Sequence, residues 1–552
     1  MMARIFSQHK IRRTANLPDT WDFSAAGKTL KMHVPGCWET ISEFSNYRGK
    51  ALYETEFFGK GYMRIVFNGV SHTAKISLDG EMMAEHYGAY SAFDFVSEKL
   101  EAGMHQLVAE VDNSFHKDSA LHIPGNDYYS YGGITRPVEL EFIENGIYIS
   151  AFRMTPVYTD KGWRGRSVVS IKNLEDKKRD ITLSLEIAGK KTLMPVKIDA
   201  KDEHTVFFEE SYENAETYTL SDPKLYFAEL VLYENGEAID DLIDRVGFRT
   251  VEIKGDKIFF AGEELKLKGF NRHEDYAEYG CAIPVSVMAR DIAIIKEANA
   301  NCIRTSHYPN DDRFIDLCDE NGILVWEEAH ARALLEENMR HPKFMEQSLL
   351  SIREMIGQHF NHPCIFTWGM LNECASDTEF GRECYKVLIA EIKKLDPSRP
   401  STFATFKYGV HGNDICLDLP DIVSYNIYPG WYLKVPTGEH IAGLKKFIDT
   451  TPGAGKPIII SEIGAGGIYG FRSDVKPKWS EDRQAELVAE QIEGVLKDDD
   501  FVGVLIWQFA DCRVDEDIFA SRPKTQNNKG IVDTYRRKKL AFAAVRDIFG
   551  KY

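Results

Sequence analysis

The sequence lacks several features that identify whole classes of protein. Its nine cysteines, from Cys37 to Cys512, form no CxxC pair and are odd in number, which does not fit a disulfide framework. No window is apolar enough for a membrane span, and the basic stretch MMARIFSQHKIRRTANLPDTW is not followed by an apolar run of signal-peptide length. We therefore predict a cytoplasmic protein without a membrane partner.

The chain also lacks an excess of positive charge. Its 67 lysines and arginines stand against 85 aspartates and glutamates, so the formal net charge is −18. Nucleic-acid binders gain affinity from clusters of basic residues, and a net negative charge repels phosphate groups. We therefore expect no nucleic-acid partner, and we expect a neutral or locally captured small molecule as the ligand.

No short-period repeat or low-complexity segment suggests a solenoid or a disordered chain. A length of 552 residues suggests about three or four domains of ordinary size. Runs with period-two alternation, such as RIVFNGV from Arg64, predict an antiparallel β-sandwich over residues 1–146. A second set, including SVVSIKN and DITLSLEIAG, predicts an immunoglobulin-like sandwich over residues 147–250.

In the last part of the chain, short apolar runs alternate with charged segments of helical length. This alternation is typical of parallel strands joined by crossover helices. Eight such units predict a (β/α)8 TIM barrel over residues 251–552, with a doubly wound sheet as the alternative. The eight runs are LKLKGFN, NCIRTSH, ILVWEEA, CIFTWGMLNE, STFATF, DIVSYNIYP, PIIISEIG and GVLIWQFAD.

Two glutamates end the fourth and the seventh of these runs. The stretch WGMLNECAS places Asn372 directly before Glu373, and PIIISEIG contains Glu462. The active site of such a barrel lies at the carboxyl ends of its strands, so both side chains are expected at one mouth. Retaining glycoside hydrolysis uses one carboxylic acid and one carboxylate, roughly 5 to 5.5 Å apart. The alternative is that each glutamate is an ordinary solvated loop residue, which their shared position at strand ends disfavours.

Motifs along nearly the whole chain carry a resemblance to a known family. In chain order they are VPGCWE from Val34, YRGKALYETEF, YGGITRPVEL, NRHED, IRTSHYP, and the Asn-Glu and Ser-Glu pairs. With this set in this order, the sequence resembles glycoside hydrolase family 2 and, within it, the β-glucuronidases. The resemblance implies a sugar-binding-like jelly-roll sandwich and an immunoglobulin-like domain ahead of a catalytic barrel. It also implies that Glu373 is the general acid/base, that Glu462 is the nucleophile, and that Asn372 holds the sugar 2-hydroxyl.

The segment SRPKTQNNKGIVD after the eighth run bears on the substrate. Its Asn527-Asn528-Lys529 matches the Asn-x-Lys motif with which β-glucuronidases bind the sugar carboxylate. A lysine charge and a directed amide hydrogen bond suit a uronate better than a neutral hexose. The alternative, an ordinary polar turn, would be the preferred interpretation without the upstream barrel.

Further matches fall where the family lines its sugar pocket, although some of the aromatic side chains are expected to be plain core residues. These matches are Asp127, His307, Asn426, Tyr428, Trp431, Tyr432 and Trp507.

The sequence also departs from the family after the third run. The connection HARALLEENMRHPKF is short, which predicts a more open pocket, and it places Arg332 near the mouth. Arg332 either pairs with Glu336 or Glu337 on the surface or points inward towards the sugar. Pro429 stands where a second tyrosine is expected. These departures leave the preferred sugar open.

The resulting expectation is a retaining exo-β-uronidase, foremost a β-glucuronidase, that acts on small glucuronides or oligosaccharide ends. The alternatives are a β-galacturonidase or an enzyme of dual specificity, then a β-galactosidase or a non-catalytic carbohydrate-binding protein. GAGGIYG lacks the spacing of a dinucleotide loop, and the consecutive His273, Glu274 and Asp275 seldom converge on one ion. We therefore expect no cofactor and no catalytic metal, and we expect a homo-oligomer, either a dimer or a tetramer.

Overall fold

The computed structural model describes residues 2–517 and 521–552. Its N-terminal part is an antiparallel β-sandwich, because alternate side chains along its strands are apolar. In the long strand Lys50–Phe67, Ala51, Tyr53, Thr55 and Phe57 are buried, and the residues that alternate with them are more exposed, so one face builds the core. The strands are Arg13–Asn16, Thr20–Ala25, Lys28–His33, Lys50–Phe67, Val70–Ser71, Thr73–Leu78, Glu81–Tyr87, Phe93–Val96, Leu100–Asp112, Gly133–Ile134 and Val138–Ile143.

A second sandwich follows, in which a three-stranded and a four-stranded antiparallel sheet enclose a separate apolar core. Seven strands in two sheets of this size are the architecture of an immunoglobulin-like domain. The strands are Ile147–Thr159, Gly162–Asn173, Arg179–Ile187, Lys190–Ile198, Glu203–Tyr212, Tyr226–Glu234 and Glu237–Val246. The domain limits at residues 146 and 250 stay predictions.

The C-terminal part is a closed barrel of eight parallel strands, preceded by the short strands Val251–Lys254, Lys257–Phe260 and Glu263–Glu264. The predicted multidomain fold of β-sandwiches and a TIM barrel is confirmed, and the doubly wound alternative is wrong because the sheet closes on itself. The barrel strands, numbered one to eight here, are Leu267–Arg272, Cys302–Thr305, Leu324–Glu328, Ile365–Met370, Ser401–Thr405, Ile422–Asn426, Ile458–Ile463 and Gly503–Ile506.

The connections between barrel strands are helical with one exception. The α-helices are Val285–Glu297, Asp312–Asn321, Glu336–Met339, Phe344–His359, Glu379–Leu395, Thr437–Ile448, Glu481–Leu496 and Leu540–Phe549. The structure describes every residue of the connection between strands five and six, 406–421. Its helical structure is limited to the 3-10 turn Gly409–His411. The expectation of eight complete strand-helix units is therefore corrected: this connection is a loop over the barrel mouth. Within the described residues, no helix combines the length and the apolar character needed to cross a membrane.

The N-terminal sandwich contributes a loop to the same mouth. Tyr128 stacks on His273 after barrel strand one, with ring centroids 4.7 Å apart. Arg136 donates from Nη2 to Glu274 Oε2 (2.9 Å), a buried ion pair between the sandwich and the barrel. Residues far apart in sequence therefore line one opening.

Candidate active site

Glu373 and Glu462 lie at the same mouth of the barrel on strands that are not neighbours. Glu373 follows strand four, where its backbone N–H donates to the Ala404 carbonyl (2.9 Å) and its φ is +55°. A left-handed backbone is uncommon for a residue with a Cβ and persists where the surrounding structure imposes it. Glu462 lies within strand seven, and its side chain is only 5% exposed.

Asn426 and Asn372 form a hydrogen-bonded network beside Glu373. Asn426 Nδ2 donates to Glu373 Oε1 (2.9 Å) and to Asn372 Oδ1 (3.1 Å), and Ser461 Oγ donates to Asn426 Oδ1 (2.7 Å). Asn372 Nδ2 is buried and has no hydrogen-bond partner among the described residues. Because an unpartnered buried donor costs free energy, this N–H group is poised for a ligand oxygen.

Arg304, on strand two, joins most of this network, although it was not among the residues selected from the sequence. Its fully buried guanidinium donates to Glu462 Oε1 (3.0 Å), Asn372 Oδ1 (2.8 Å) and Asn271 Oδ1 (2.8 Å), and it forms a two-pronged pair with Glu328. One feature of the sequence could have indicated its role: Arg304 is a charged residue within the predicted barrel strand of IRTSHYP. A buried charge needs partners, but the sequence does not say which residues they are.

Two opposing influences act on Glu462. Burial, followed by the nearby Glu373 carboxylate, raises the pKa of Glu462 to about 7. Arg304 and the Tyr428 hydroxyl, which donates to Glu462 Oε2 at 2.6 Å, act in the opposite direction. The carboxylate is therefore ionised above neutral pH and takes up a proton just below it.

His307 and Trp507 form an aromatic wall beside Glu462. Their rings stack with centroids 5.1 Å apart, and His307 Nε2 lies 4.0 Å from Glu462 Oε1. Burial, followed by the charge of Arg304, lowers the pKa of His307 well below its usual value, so its ring is neutral. Flat aromatic faces of this kind suit the C–H patches of a pyranose.

The segment after strand eight brings two cations next to Asp127. Lys529 Nζ lies 3.9 Å from Asp127 Oδ2, and Arg522 donates to the same carboxylate from Nε (3.2 Å) and from Nη2. Asn527 Nδ2 donates to the Asp127 carbonyl (3.3 Å), and its buried Oδ1 has no partner in the described part of the chain. Because Arg522 contacts the Asp127 carboxylate more closely than Lys529 does, the buried ammonium of Lys529 favours an additional anionic group, such as that of a ligand. Arg522 stands in the quoted SRPK stretch and was not selected from the sequence.

The three aromatic residues after strand six occupy different environments. Tyr428 is half-buried and bonded to Glu462, as described above. Tyr432 is 52% exposed at the mouth, with its ring edge-to-face on that of Tyr428 (5.2 Å). Trp431 is buried and meets Trp479 edge-to-face with centroids 5.0 Å apart. The Trp431 ring therefore packs in the core rather than facing the open mouth.

Arg332 points into the mouth and does not pair with Glu336 or Glu337. Its Nη2 lies 4.0 Å from Glu373 Oε2, and its side chain is 17% exposed. The backbone on either side of it pairs with Asn372, through Asn372 N–H to the Ala331 carbonyl (3.0 Å) and Ala333 N–H to the Asn372 carbonyl (2.8 Å). The short connection after strand three is thus fastened to the end of strand four, which fixes where Arg332 lies.

One group of possible metal ligands lies away from these residues. Among the described residues, ligand atoms of Asp316, Asp319 and His362 lie close enough together to hold an ion. Asp316 Oδ1 already accepts from Arg4 Nη2 (2.6 Å) and Arg245 Nη2 (2.9 Å). The negative charge of Asp316 is therefore matched by two guanidinium groups.

Comparisons with known proteins give consistent matches. A family model described as "Glycosyl hydrolases family 2, TIM barrel domain" matches residues 251–551. A putative beta-glucuronidase from Formosa agariphila is 26% identical over 580 residues, covering 97% of this chain but only 66% of that relative. A beta-glucuronidase from Bacteroides fragilis is 27% identical over 584 residues, covering 96% of this chain and 80% of the relative. The crystal structure of a GH2 beta-galacturonidase from Eisenbergiella tayi bound to galacturonate is 47% identical, with a TM-score of 0.97 and coverage of 100% of this chain and 99% of that one.

Proposed function

The chain belongs to glycoside hydrolase family 2 and is a glycoside hydrolase, and from that premise we propose that it is a retaining exo-β-uronidase. Its substrate class is a small molecule that ends in a β-linked uronic acid. Within that class we propose β-galacturonides first and β-glucuronides second. The inward position of Arg332 carries this preference.

In the proposed first step, Glu462 attacks the anomeric carbon while Glu373 donates a proton to the departing glycosidic oxygen. The bond from the anomeric carbon to the leaving oxygen breaks, and an ester bond to Glu462 forms. The Tyr428 hydroxyl and Arg304 hold the Glu462 carboxylate in place. Because Glu462 must be ionised to attack, these two donors support catalysis by opposing the effect of burial.

In the proposed second step, Glu373 takes a proton from water, and the water oxygen attacks the anomeric carbon and releases Glu462. Two displacements on the same carbon retain its configuration. Asn372, whose Nδ2 lacks a protein partner among the described residues, is the proposed donor to the sugar 2-hydroxyl. A hydrogen bond of this kind strengthens as charge develops at the anomeric carbon.

Recognition of the uronate is assigned to the cations after strand eight. Lys529 supplies the buried charge, Asn527 supplies a directed amide, and Arg522 adds a second cation that the sequence analysis did not select. Asp127 orients both cations and offsets part of their charge. A neutral hexose brings no anionic group to the buried ammonium of Lys529 and is therefore disfavoured.

The choice between the two uronates depends on the hydroxyl at C4, which is axial in galacturonate and equatorial in glucuronate. Arg332 lies 4.0 Å from Glu373, and its planar fork of donors can reach an oxygen on that side of the sugar. The 47% identical structure is that of a beta-galacturonidase bound to galacturonate, whereas the two beta-glucuronidase relatives described above are 26% and 27% identical. These observations support the galacturonide, and the Asn-x-Lys motif keeps the glucuronide as the second candidate.

A single set of kinetic measurements tests this proposal. kcat/KM is measured on p-nitrophenyl β-galacturonide, β-glucuronide and β-galactoside for the parent protein, Lys529→Ala and Arg332→Ala. We expect the parent to prefer both uronides to the galactoside. Lys529→Ala should lose about 2 to 4 kcal/mol of transition-state stabilisation on the uronides, because an anion is left without its partner, and little on the galactoside.

Arg332→Ala should lower the ratio of galacturonide to glucuronide turnover at least several-fold. An unchanged ratio, or a parent without galacturonide activity, would leave the protein a β-glucuronidase in which Arg332 does not read C4. Equal losses on all three sugars in Lys529→Ala would make Lys529 structural and would remove the uronate assignment.

A further inference from the structure

A cavity of about 200 Å³ opens beside Glu373, and neither Lys529 nor Arg522 lines it. It lies between the loop after strand five, residues 406–415, and the segment after strand six, residues 428–433. Glu373 lines this cavity and Glu462 does not. Because the proposed acid must touch the glycosidic oxygen, the group on the far side of that oxygen extends from Glu373 into this space.

We infer that this cavity is the leaving-group subsite and that it selects uncharged aromatic alcohols. The inference rests on the proposed function, since it assumes that Glu373 protonates the leaving oxygen. It extends that function by naming the chemical class of the leaving group.

The walls of the cavity are largely aromatic. Phe406 and Tyr408 stand on the strand-five side, Tyr432 stands on the opposite side, and Ile427 and Leu433 add aliphatic surface. Faces and edges of aromatic side chains favour a second aromatic ring over a saturated group of the same size. The walls therefore favour a flat, unsaturated ring.

The charges around the cavity exclude an ionic leaving group. The cavity has no lysine or arginine in its lining, and Glu373 is the single carboxylate there. The proposed uronate cations, Lys529 and Arg522, do not line the cavity but contact Tyr432 in its wall: Lys529 Nζ lies 5.3 Å from the centre of its ring, and Arg522 Nη2 donates to its hydroxyl (3.4 Å). An acidic neighbouring sugar would meet Glu373, and the cation nearest that carboxylate, Arg332, already lies 4.0 Å from it, so an uncharged leaving group is favoured.

The polar groups of the lining are mostly engaged with the protein. Tyr425 Oη donates to the Lys407 carbonyl (3.2 Å), and the Tyr428 hydroxyl and the Asn426 amide serve the two carboxylates. The imidazoles of His411 and His440 and the hydroxyl of Tyr408 also line the cavity and make no hydrogen bond to any described residue. A pyranose carries several hydroxyls that need partners when they are desolvated. These few free polar groups can partner the one or two polar substituents of an aromatic alcohol, but not all the hydroxyls of a second sugar.

The strand-five wall is held in place by the segment that carries Glu373. Lys407 Nζ pairs with Asp377 Oδ2 at 3.0 Å, and Ser376 Oγ donates to the buried carboxylate of Asp414. Both partners, Ser376 and Asp377, lie three and four positions after Glu373 in the chain. The wall and the proposed acid are therefore positioned together, as a preformed subsite requires.

The test uses two substrates that differ mainly in aromaticity. Benzyl and cyclohexylmethyl β-galacturonides release primary alcohols of similar size, and comparing the parent with its variants cancels the difference in acidity between the two alcohols. We expect the parent to prefer the benzyl compound in kcat/KM. Phe406→Ala should reduce this preference about three- to ten-fold, which corresponds to the usual gain from an aromatic pair. Phe406→Leu should reduce it as well, because it keeps most of the volume but not the aromatic face.

Val410→Ala is the matched control, since Val410 lies in the same loop, is 87% exposed and is not part of the lining. It should keep the parent's preference. The ratio within each protein cancels any general loss of activity or of folded enzyme. A preference equal in the parent and in both Phe406 variants would overturn the inference, as would faster release of a neutral sugar from a galacturonosyl disaccharide than of benzyl alcohol. A parent that cleaves no p-nitrophenyl uronide would instead overturn the proposed function.

Discussion

The protonation of a single residue, Glu462, should determine how the activity depends on pH. Its pKa is raised to about 7, first by burial and then by Glu373, while Tyr428 and Arg304 lower it. A protonated Glu462 cannot attack, so activity is present above this pKa and is lost as the pH falls through it. We therefore predict that kcat/KM on a p-nitrophenyl uronide declines on the acid side with an apparent pKa near 7.

Tyr428→Phe provides the variant for this prediction. It removes the hydrogen bond that favours the ionised form, so the acid limb should move to higher pH. Measuring kcat/KM across the pH range for both proteins checks the direction. An acid limb that stays in place, or moves to lower pH, would show that Glu462 does not control it.

The different roles proposed for Glu373 and Glu462 predict opposite products in single variants. Glu462→Ala removes the nucleophile and should abolish turnover, whereas Glu373→Ala should still form the glycosyl-enzyme from substrates with good leaving groups. Azide should rescue both, because it fits the space left by either carboxylate. The rescue product should be the β-glycosyl azide with Glu373→Ala and the α-glycosyl azide with Glu462→Ala.

The configuration at the anomeric carbon, read by proton NMR of the azide product, decides this assignment. The same configuration from both variants, or full activity in either one without azide, would contradict it. The parent protein treated with azide serves as the control for direct attack on the substrate.

At the scale of elements, the end of the helix Asp312–Asn321 depends on a glycine. Gly322 has a φ of +63°, and a Cβ at this position would lie 2.2 Å from the carbonyl oxygen of Leu220, in the second sandwich. Gly322→Ala would therefore combine left-handed strain, which costs about 1 kcal/mol, with a backbone clash. We predict a clear fall in the melting temperature.

Gly255→Ala is the matched control for this prediction. Gly255 has nearly the same φ, +62°, but a Cβ there would meet nothing within 4 Å. It should show the strain without the clash and therefore a smaller fall. Equal shifts in the two variants, measured by thermal unfolding, would mean that the contact with Leu220 relaxes at no cost.

The connection between strands five and six shows where local sequence patterns stop being informative. All eight barrel strands were predicted, because each is a short apolar run buried on both faces, and such runs are visible in the sequence. The missing helix was not predicted, because the interpretation relied on a regular alternation. Gly409, Gly412 and Pro420 interrupt residues 406–421, and these are residues that disfavour a helix.

At the scale of the whole molecule, Arg4 links three parts of the structure. Its guanidinium donates to Asp316 of the helix Asp312–Asn321 (3.0 and 2.6 Å) and to Asp244 of the second sandwich (2.9 Å). All of these groups are buried or nearly so. Arg4→Ala would leave Asp316 with Arg245 as its remaining guanidinium and would remove the cation paired with Asp244, so it should cost on the order of 3 kcal/mol.

An exposed ion pair provides the control for Arg4. The side chains of Arg13 and Glu144 are 53% and 61% exposed, and such pairs contribute about 0 to 1 kcal/mol. Arg13→Ala should leave the melting temperature nearly unchanged, whereas Arg4→Ala should lower it. Similar melting temperatures for both variants would show that the Arg4 network does not stabilise the assembly of the three parts.

The sequence by itself determined the eight barrel strands, the order of the sandwiches and barrel, and the chemical groups at the barrel strand ends. These follow from local patterns, since burial on one or two faces of a strand imposes alternation or continuity on neighbouring residues. The paired glutamates and the Asn-x-Lys segment could therefore be selected, and membership of glycoside hydrolase family 2 is confirmed.

The contacts among these groups were decided only by the tertiary structure. Asp127 meets Arg522 across 395 positions of the chain, Arg304 gathers partners from four barrel strands or their ends, and Arg332 turns inward because its backbone pairs with Asn372. No spacing in the sequence encodes these meetings, because they arise when the barrel closes and the first sandwich docks on its mouth. The physical reason is that charge pairing and burial depend on distance in space, whereas sequence patterns report distance along the chain.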